Sequence, residues 1–316
     1  NMNNVYNALN GNSSPFPKQN SSNKENNWNQ KPRMSKEEFA QHMKEKRNEL
    51  FNRANEETMK VVGDPHSFID FLNSQAIIDY TVTNTLLVHS QNPKATLLKD
   101  FSHWSDANAY LQKGSKGIEI LEPGNEYQRR DGSIGINYNP KTVFDVSSIS
   151  NNERFVEKPK VYSPNEIVSS IIYRTEIKPE VVSNDSTLPE DVFFDEKSKT
   201  VYVKDGQDPF VMINGLLREY AFVECFEQGI SRQEASFIAK SAGYLLSQKY
   251  HVDGYDTSFA SECLSYFSGS EPFGAKKELE RIKSVSSQIS ERMEHGLYAL
   301  QQNRQPKQTE RSNYER

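Results

Sequence analysis

The stretch "NGLLREYAFVECFEQG", residues 214–229, decides how the rest of the chain is read. It follows "DGQDP" (205–209), whose turn residues close a strand and open a helix, and it ends at Gly229. A helix is therefore expected over 209–228, with a second over 231–250 whose Ile238, Leu245 and Leu246 point inward. Just before them, "VFFDEKSKTVYVKDG" (192–206) reads as two strands joined by a polar turn. On a helix, residues four apart share a face, so Arg218 and Phe222 lie together with Glu219 beside them. Two readings are open: a core helix with Glu219 exposed by chance, or a chemical site in which the neighbours of Glu219 have changed.

Composition narrows the function classes. The 316 residues, 35% hydrophobic, can bury one large core or two modest ones, and the length favours two domains. No apolar run approaches the roughly 20 residues of a membrane span, so no membrane partner is expected. No basic segment followed by an apolar run opens the chain, and only two cysteines occur, Cys225 and Cys263, in no metal or redox spacing. A reducing cytoplasm is the expected setting. A net charge of −5 argues against a general polycation, while local basic patches remain compatible with nucleic acid.

Residues 1–33 hold eleven asparagines and almost no periodic apolar residues, and read as a disordered leader. Met34 is a candidate start. Ser35 and Glu38 form a capping box ahead of an amphipathic stripe of Phe39, Met43, Leu50 and Phe51. Helices follow over 66–80 and 82–91, the latter stopped by Asn92-Pro93. A strand near 96–98, a helix over 105–112, the turn "KGSKG" (113–117) and strands in "IEILEP" (118–123) and "SIGINYNPKTVFDVSSIS" (133–150) complete a first α+β domain over 34–148. The segment 149–165 reads as a linker, 166–270 as a second domain and 271–316 as a charged helix with a polar tail.

The helical motif HExxH aims two imidazoles at one zinc ion and uses the intervening glutamate as general base. At the corresponding positions only Glu219 has the required chemistry: Arg218 has no lone pair to offer, and Phe222 has no heteroatom. The six histidines form no pair at helical or finger spacing. No metal and no other cofactor are expected. Glu219 acting alone as a hydrolase would lack a metal-activated water. Ser147-Ser148 and Ser169-Ser170 have no histidine context, and no Walker-type phosphate loop exists.

Both halves together resemble the ArdC-type antirestriction proteins of plasmids and conjugative elements, including their LtrC-like relatives, over roughly 35–265. The matching residues are Tyr80, Asn84, Leu86-Leu87, Gln91-Asn92-Pro93, Trp104, "KGSKGIEIL" (113–121) and "VFDVS" (143–147). The resemblance implies a single-stranded-DNA-binding first domain and a SprT-like, zincin-like second domain. Carried over residue by residue, the two histidine positions fall on Arg218 and Phe222, and the catalytic glutamate on Glu219. A third ligand, a glutamate in the family, falls on Lys240, where Ala239, Ser241 and Tyr244 keep the frame. The second domain is thus expected to be a protease-like pseudoenzyme serving as scaffold. Arg218 and Lys240 are expected to face each other, neutralised by Glu219 or Glu224.

For the first domain, phosphates require cations and bases require flat side chains. Lys94, Lys99, Lys113, Lys116, Arg129 and Arg130 supply charge; Trp104 and Tyr110 supply rings; Asn84 and Gln91 supply hydrogen bonds; and Gly117 allows close backbone approach. Each has a plainer alternative: Trp104 as core, the lysines as solubility charges, Asn84 satisfying buried backbone. A rival reading makes the chain a protein–protein inhibitor of a host defence or conjugation component, using the seven Asp or Glu against three Lys in 181–210.

Overall fold

The computed structural model describes residues 34–304. The leader over 1–33 and the polar tail after residue 304 lie outside the described residues. The chain divides into two units, the first ending at Gln41 and the second beginning at His42. In the described part of the first unit the expected capping box opens α1 (Lys36–Val62). The Glu38 amide donates to Ser35 Oγ (3.1 Å), and the Ser35 amide donates to Glu38 Oε2 (2.8 Å). All other elements belong to the second unit, a mixed α+β assembly.

Its first sheet has the order β1 (Leu98–Lys99), β3 (Ile134–Asp145), β2 (Ile118–Gln128), antiparallel throughout. Two helices precede it, α2 (Pro65–Ile77) and α3 (Val82–Gln91). Thr81 caps α3, and its bounds are those expected from Asn92-Pro93. The next helix, α4 (Phe101–Asp106), starts earlier than expected, because Asp100 accepts the His103 amide and acts as N-cap.

The second sheet has the order β4 (Pro179–Val182), β6 (Thr200–Lys204), β5 (Val192–Asp195). β5 and β6 form the expected antiparallel pair, while β4 runs parallel to β6 and adds a strand to that expectation. The remaining helices are α5 (Pro164–Ile171), α6 (Pro209–Glu227), α7 (Arg232–Lys249), α8 (Cys263–Tyr266) and α9 (Pro272–Arg304), of which α6 packs on β5 and β6.

One apolar core collects Phe68, Phe71 and Leu86 from α2 and α3 with Leu217 and Tyr220 from α6 and Ile238 and Leu246 from α7. It therefore draws on both sides of the 149–165 segment. The helix read as a charged terminal element contributes as well: Ala275, Leu279, Ile282, Val285, Ile289 and Met293 follow helical spacing and are fully buried. Its charges occupy the opposite face, which is why composition alone reads it as solvated. Among the described residues, no helix is long and apolar enough to cross a membrane.

Candidate functional site

The antiparallel register Val192↔Val203, Phe193↔Tyr202 and Phe194↔Val201 makes β5 an outer strand. The Lys204 amide donates to Asp191 O (2.9 Å), so hydrogen bonding to β6 alternates from 191 and leaves the backbone groups of Val192 and Phe194 pointing outward. An unpaired outer edge is where an extended peptide can add as another strand. Here α6 and α7 close it with side chains. Glu219 Oε2 accepts the Phe194 amide (2.8 Å), Arg218 Nη2 donates to Val192 O (3.1 Å), and Arg232 Nη1 donates to Phe194 O (3.3 Å). Gly215 brings α6 this close; a Cβ there would stand 2.6 Å from Val192 Cγ2.

The same three side chains neutralise one another. Glu219 is fully buried, and beyond the Phe194 amide it accepts Arg218 Nε (2.8 Å), Arg232 Nη1 (2.8 Å) and Arg232 Nη2 (3.2 Å). A second carboxylate, Glu190 Oε2, lies 2.5 Å from Arg218 Nη2. Burial alone would lower the Arg218 pKa; the facing Glu219 and Glu190 outweigh it and raise it above the usual value. The Arg232 guanidinium lies 3.9 Å from the Phe222 ring centre and 4.3 Å from that of Phe193, so a cation is held over the ring of Phe222. Arg232 is the functional residue that sequence reasoning misses. Its position is itself a signal: a cation in the first turn of a helix opposes the macrodipole and calls for an anionic partner.

Lys240 and Arg218 both line a cavity of about 460 Å³, but they are not joined by a shared carboxylate. Lys240 Nζ pairs with Glu262 (2.8 Å), and Glu224 pairs with Arg292 Nη1 (2.8 Å) instead. The expectation that Glu219 or Glu224 would neutralise both cations is corrected accordingly: Glu219 serves Arg218 and Arg232. A zinc or manganese ion does not fit these residues. Both oxygens of Glu219 are occupied by donors, and Arg218, Phe222 and Lys240 are unsuited to ligating a divalent ion. Among the described residues, no group of three His, Cys, Asp or Glu side chains is gathered for a metal.

In the first sheet the predicted DNA-contacting residues separate into two sets. Asn84 Nδ2 donates to Leu121 O and its Oδ1 accepts the Leu121 amide, both at 2.9 Å. Gln91 does the same to Glu119, donating to its carbonyl (2.9 Å) and accepting its amide (3.0 Å). These amides seal the outward edge of β2 and do not face a ligand. Trp104 is 1% exposed and donates Nε1 to Phe144 O (2.9 Å), with Phe155 against its ring, so no base can stack on it. A side chain at Gly117 would stand 2.2 Å from Thr142 Cγ2, which gives that glycine a packing role in the hairpin. Lys94, Lys113, Lys116, Arg129 and Arg130 are exposed; Lys99 is half-buried, its Nζ 5.2 Å over the Trp104 ring. Tyr110 is 66% exposed, while its backbone is fixed by Ser150 and Asn151.

The seven carboxylates of 181–210 are all engaged. Glu190 pairs with Arg218, and Asp191 with Lys204 (3.3 Å). Asp185, Asp195 and Asp205 accept donors within their own turns, and Asp208 caps α6. Glu196 accepts the Arg232 amide (2.9 Å). An acidic surface offered to a partner has little left to offer here.

No family model and no curated protein matches the chain. Among solved structures, the antirestriction protein ArdC from the R388 plasmid is similar in its metal-free and Mn(II)-bound structures, with a TM-score of 0.47 in each, 12% and 11% identity, 68% of this chain covered, and 86% and 85% of the other.

Proposed function

We propose that the chain is an antirestriction-type accessory protein of a conjugative plasmid or other mobile element, working in the cytoplasm, and that it binds single-stranded DNA. Its second half keeps a protease-like helix pair as a scaffold without protease chemistry. The observation that carries the DNA reading is one short surface segment, in which exposed Tyr110 is followed at three-residue steps by exposed Lys113 and Lys116. Among the described residues neither lysine has an ion-pair partner, so both are available to phosphates. Lys94, Arg129 and Arg130 extend the charge, whereas Trp104, Asn84 and Gln91 support the fold.

Anisotropy with a labelled single-stranded oligonucleotide at several salt concentrations tests this. Lys113→Ala with Lys116→Ala should weaken binding and flatten the log–log salt slope by about 1.4, at roughly 0.7 for each phosphate no longer neutralised. Tyr110→Ala should cost about 1–3 kcal/mol of affinity. Wild-type affinity in both variants would remove this surface from consideration. For the second half, metal analysis of the purified chain should find no stoichiometric zinc or manganese.

A further inference from the structure

We infer that the cavity on the first sheet beside Tyr80 receives one nucleobase of a bound single strand, an inference that rests on the DNA reading above and adds a second subsite to it. The cavity holds about 340 Å³, the size of a small-ligand site. Side chains alternate across a strand, so the pairs Ile118↔Val143 and Ile120↔Lys141 place Ile120, Val143 and Lys141 on one face of the sheet. Leu98 of β1 and half-buried Tyr80, just before α3, pack against the same apolar cluster and complete the wall. The turn that carries Lys113 and Lys116 runs directly into β2. Ile120 lies about 10 Å beyond Gly117 along that strand, a distance that a stacked nucleic-acid strand covers in about three nucleotides.

What the charged groups leave over selects the ligand. Lys141 Nζ stands 3.0 Å from Asp100 Oδ2 and 2.7 Å from Glu122 Oε1, and Asp100 Oδ1 stands 2.6 Å from His103 Nδ1. These groups satisfy one another, so an incoming ion meets a set that is already closed. Two neutral groups remain. Burial pushes the Tyr80 phenol above its ordinary pKa, so it keeps its proton; Lys141 and Asp100, both on the cavity wall, act on it with opposite sign. Its hydroxyl has no hydrogen-bond partner among the described residues. His103 turns Nδ1 to the carboxylate, which leaves Nε2 as its free nitrogen. One cation also remains: Lys99 lies over the Trp104 ring and has no carboxylate partner among the described residues. An aliphatic ligand would take water from the Tyr80 hydroxyl and offer it nothing in return. A flat base offers its face to the apolar wall and, on its edge, a donor and an acceptor for His103 and Tyr80. The phosphate attached to it meets Lys99.

Anisotropy of the whole chain with two labelled strands of equal length tests the subsite, one an oligothymidylate and the other built on abasic sugars, with the same phosphates and no bases. Tyr80→Phe combined with His103→Ala should weaken the oligothymidylate by about ten-fold and leave the baseless strand unchanged. The Phe ring keeps the packing of Tyr80, and His103 is exposed, so the double variant retains the fold. An equal loss on both strands, or no loss on the oligothymidylate, overturns the inference. Tyr110, Lys113 and Lys116 are intact in this variant, so undiminished oligothymidylate binding removes the subsite and leaves the DNA reading standing. If neither strand binds the wild type, both fall; saturable binding of thymidine monophosphate in that case would make the occupant a free nucleotide.

Discussion

Two outer strands face the same physical problem and solve it with different chemistry. β2 presents the amides and carbonyls of Glu119 and Leu121, and α3 meets them with two neutral amides, Asn84 and Gln91. β5 presents the Val192 carbonyl and both backbone groups of Phe194, and α6 and α7 meet them with two guanidinium groups and a carboxylate. A neutral amide matches a peptide edge one donor to one acceptor and brings no charge into the interior. The ionic arrangement must keep Arg218, Glu219 and Arg232 balanced, and its stability depends on every member being present. Arg218 and Glu219 thus close the edge of β5 and neutralise each other at the same time.

The largest effect should come from removing the centre of the ionic cluster. Glu219→Ala removes the buried carboxylate shared by two guanidinium groups and leaves the Phe194 amide without its acceptor, and should lower unfolding stability by about 3–5 kcal/mol in urea titrations. A loss below about 1 kcal/mol would mean that the cluster is not coupled as its geometry implies. Asn84→Leu should cost less, about 1–3 kcal/mol, since only the neutral backbone groups of Leu121 lose their partners. If the two losses are equal, the contrast between ionic and amide closure fails.

A smaller effect sharpens the comparison by pH. The opposite face of α3 carries His89, whose Nδ1 lies 2.7 Å from Glu57 Oε1 on α1. That hydrogen bond, against the opposing effect of burial, holds the Glu57 carboxyl below its ordinary value of 4.5. Because the folded-state value is the lower one, this contribution is complete above about pH 4.5 and is lost as the pH falls through the folded-state value. Thermal melts between about pH 5 and pH 3 should therefore show a steeper loss for the wild type than for Glu57→Gln. Parallel curves would show that acid acts elsewhere.

Much of the secondary structure was legible because it is locally punctuated. Asn92-Pro93 ends α3, "DGQDP" separates β6 from α6, and Ser35 with Glu38 forms a capping box on α1. What stayed hidden is non-local. β4 is four residues long and pairs in parallel with a strand some twenty residues later, a pairing with no period to announce it. Asn84 finds its partner 37 residues away, and nothing near Trp104 distinguishes a buried ring from a stacking platform. At the second-half site the unsuitability of Arg218, Phe222 and Lys240 as metal ligands could be read from their side chains alone. The arrival of Arg232 over Phe222 could not, since it depends on how α7 is set against β5.

The closed edge of β5 also bears on how the chain behaves in a crowded solution. A bare outer strand with buried Val192 and Phe194 side chains would be a template on which a second copy could nucleate cross-strand growth. With the Val192 carbonyl and both Phe194 backbone groups capped from within, that side of the sheet gives self-templating little foothold. At the far side β4 is short and opens with a proline, Pro179.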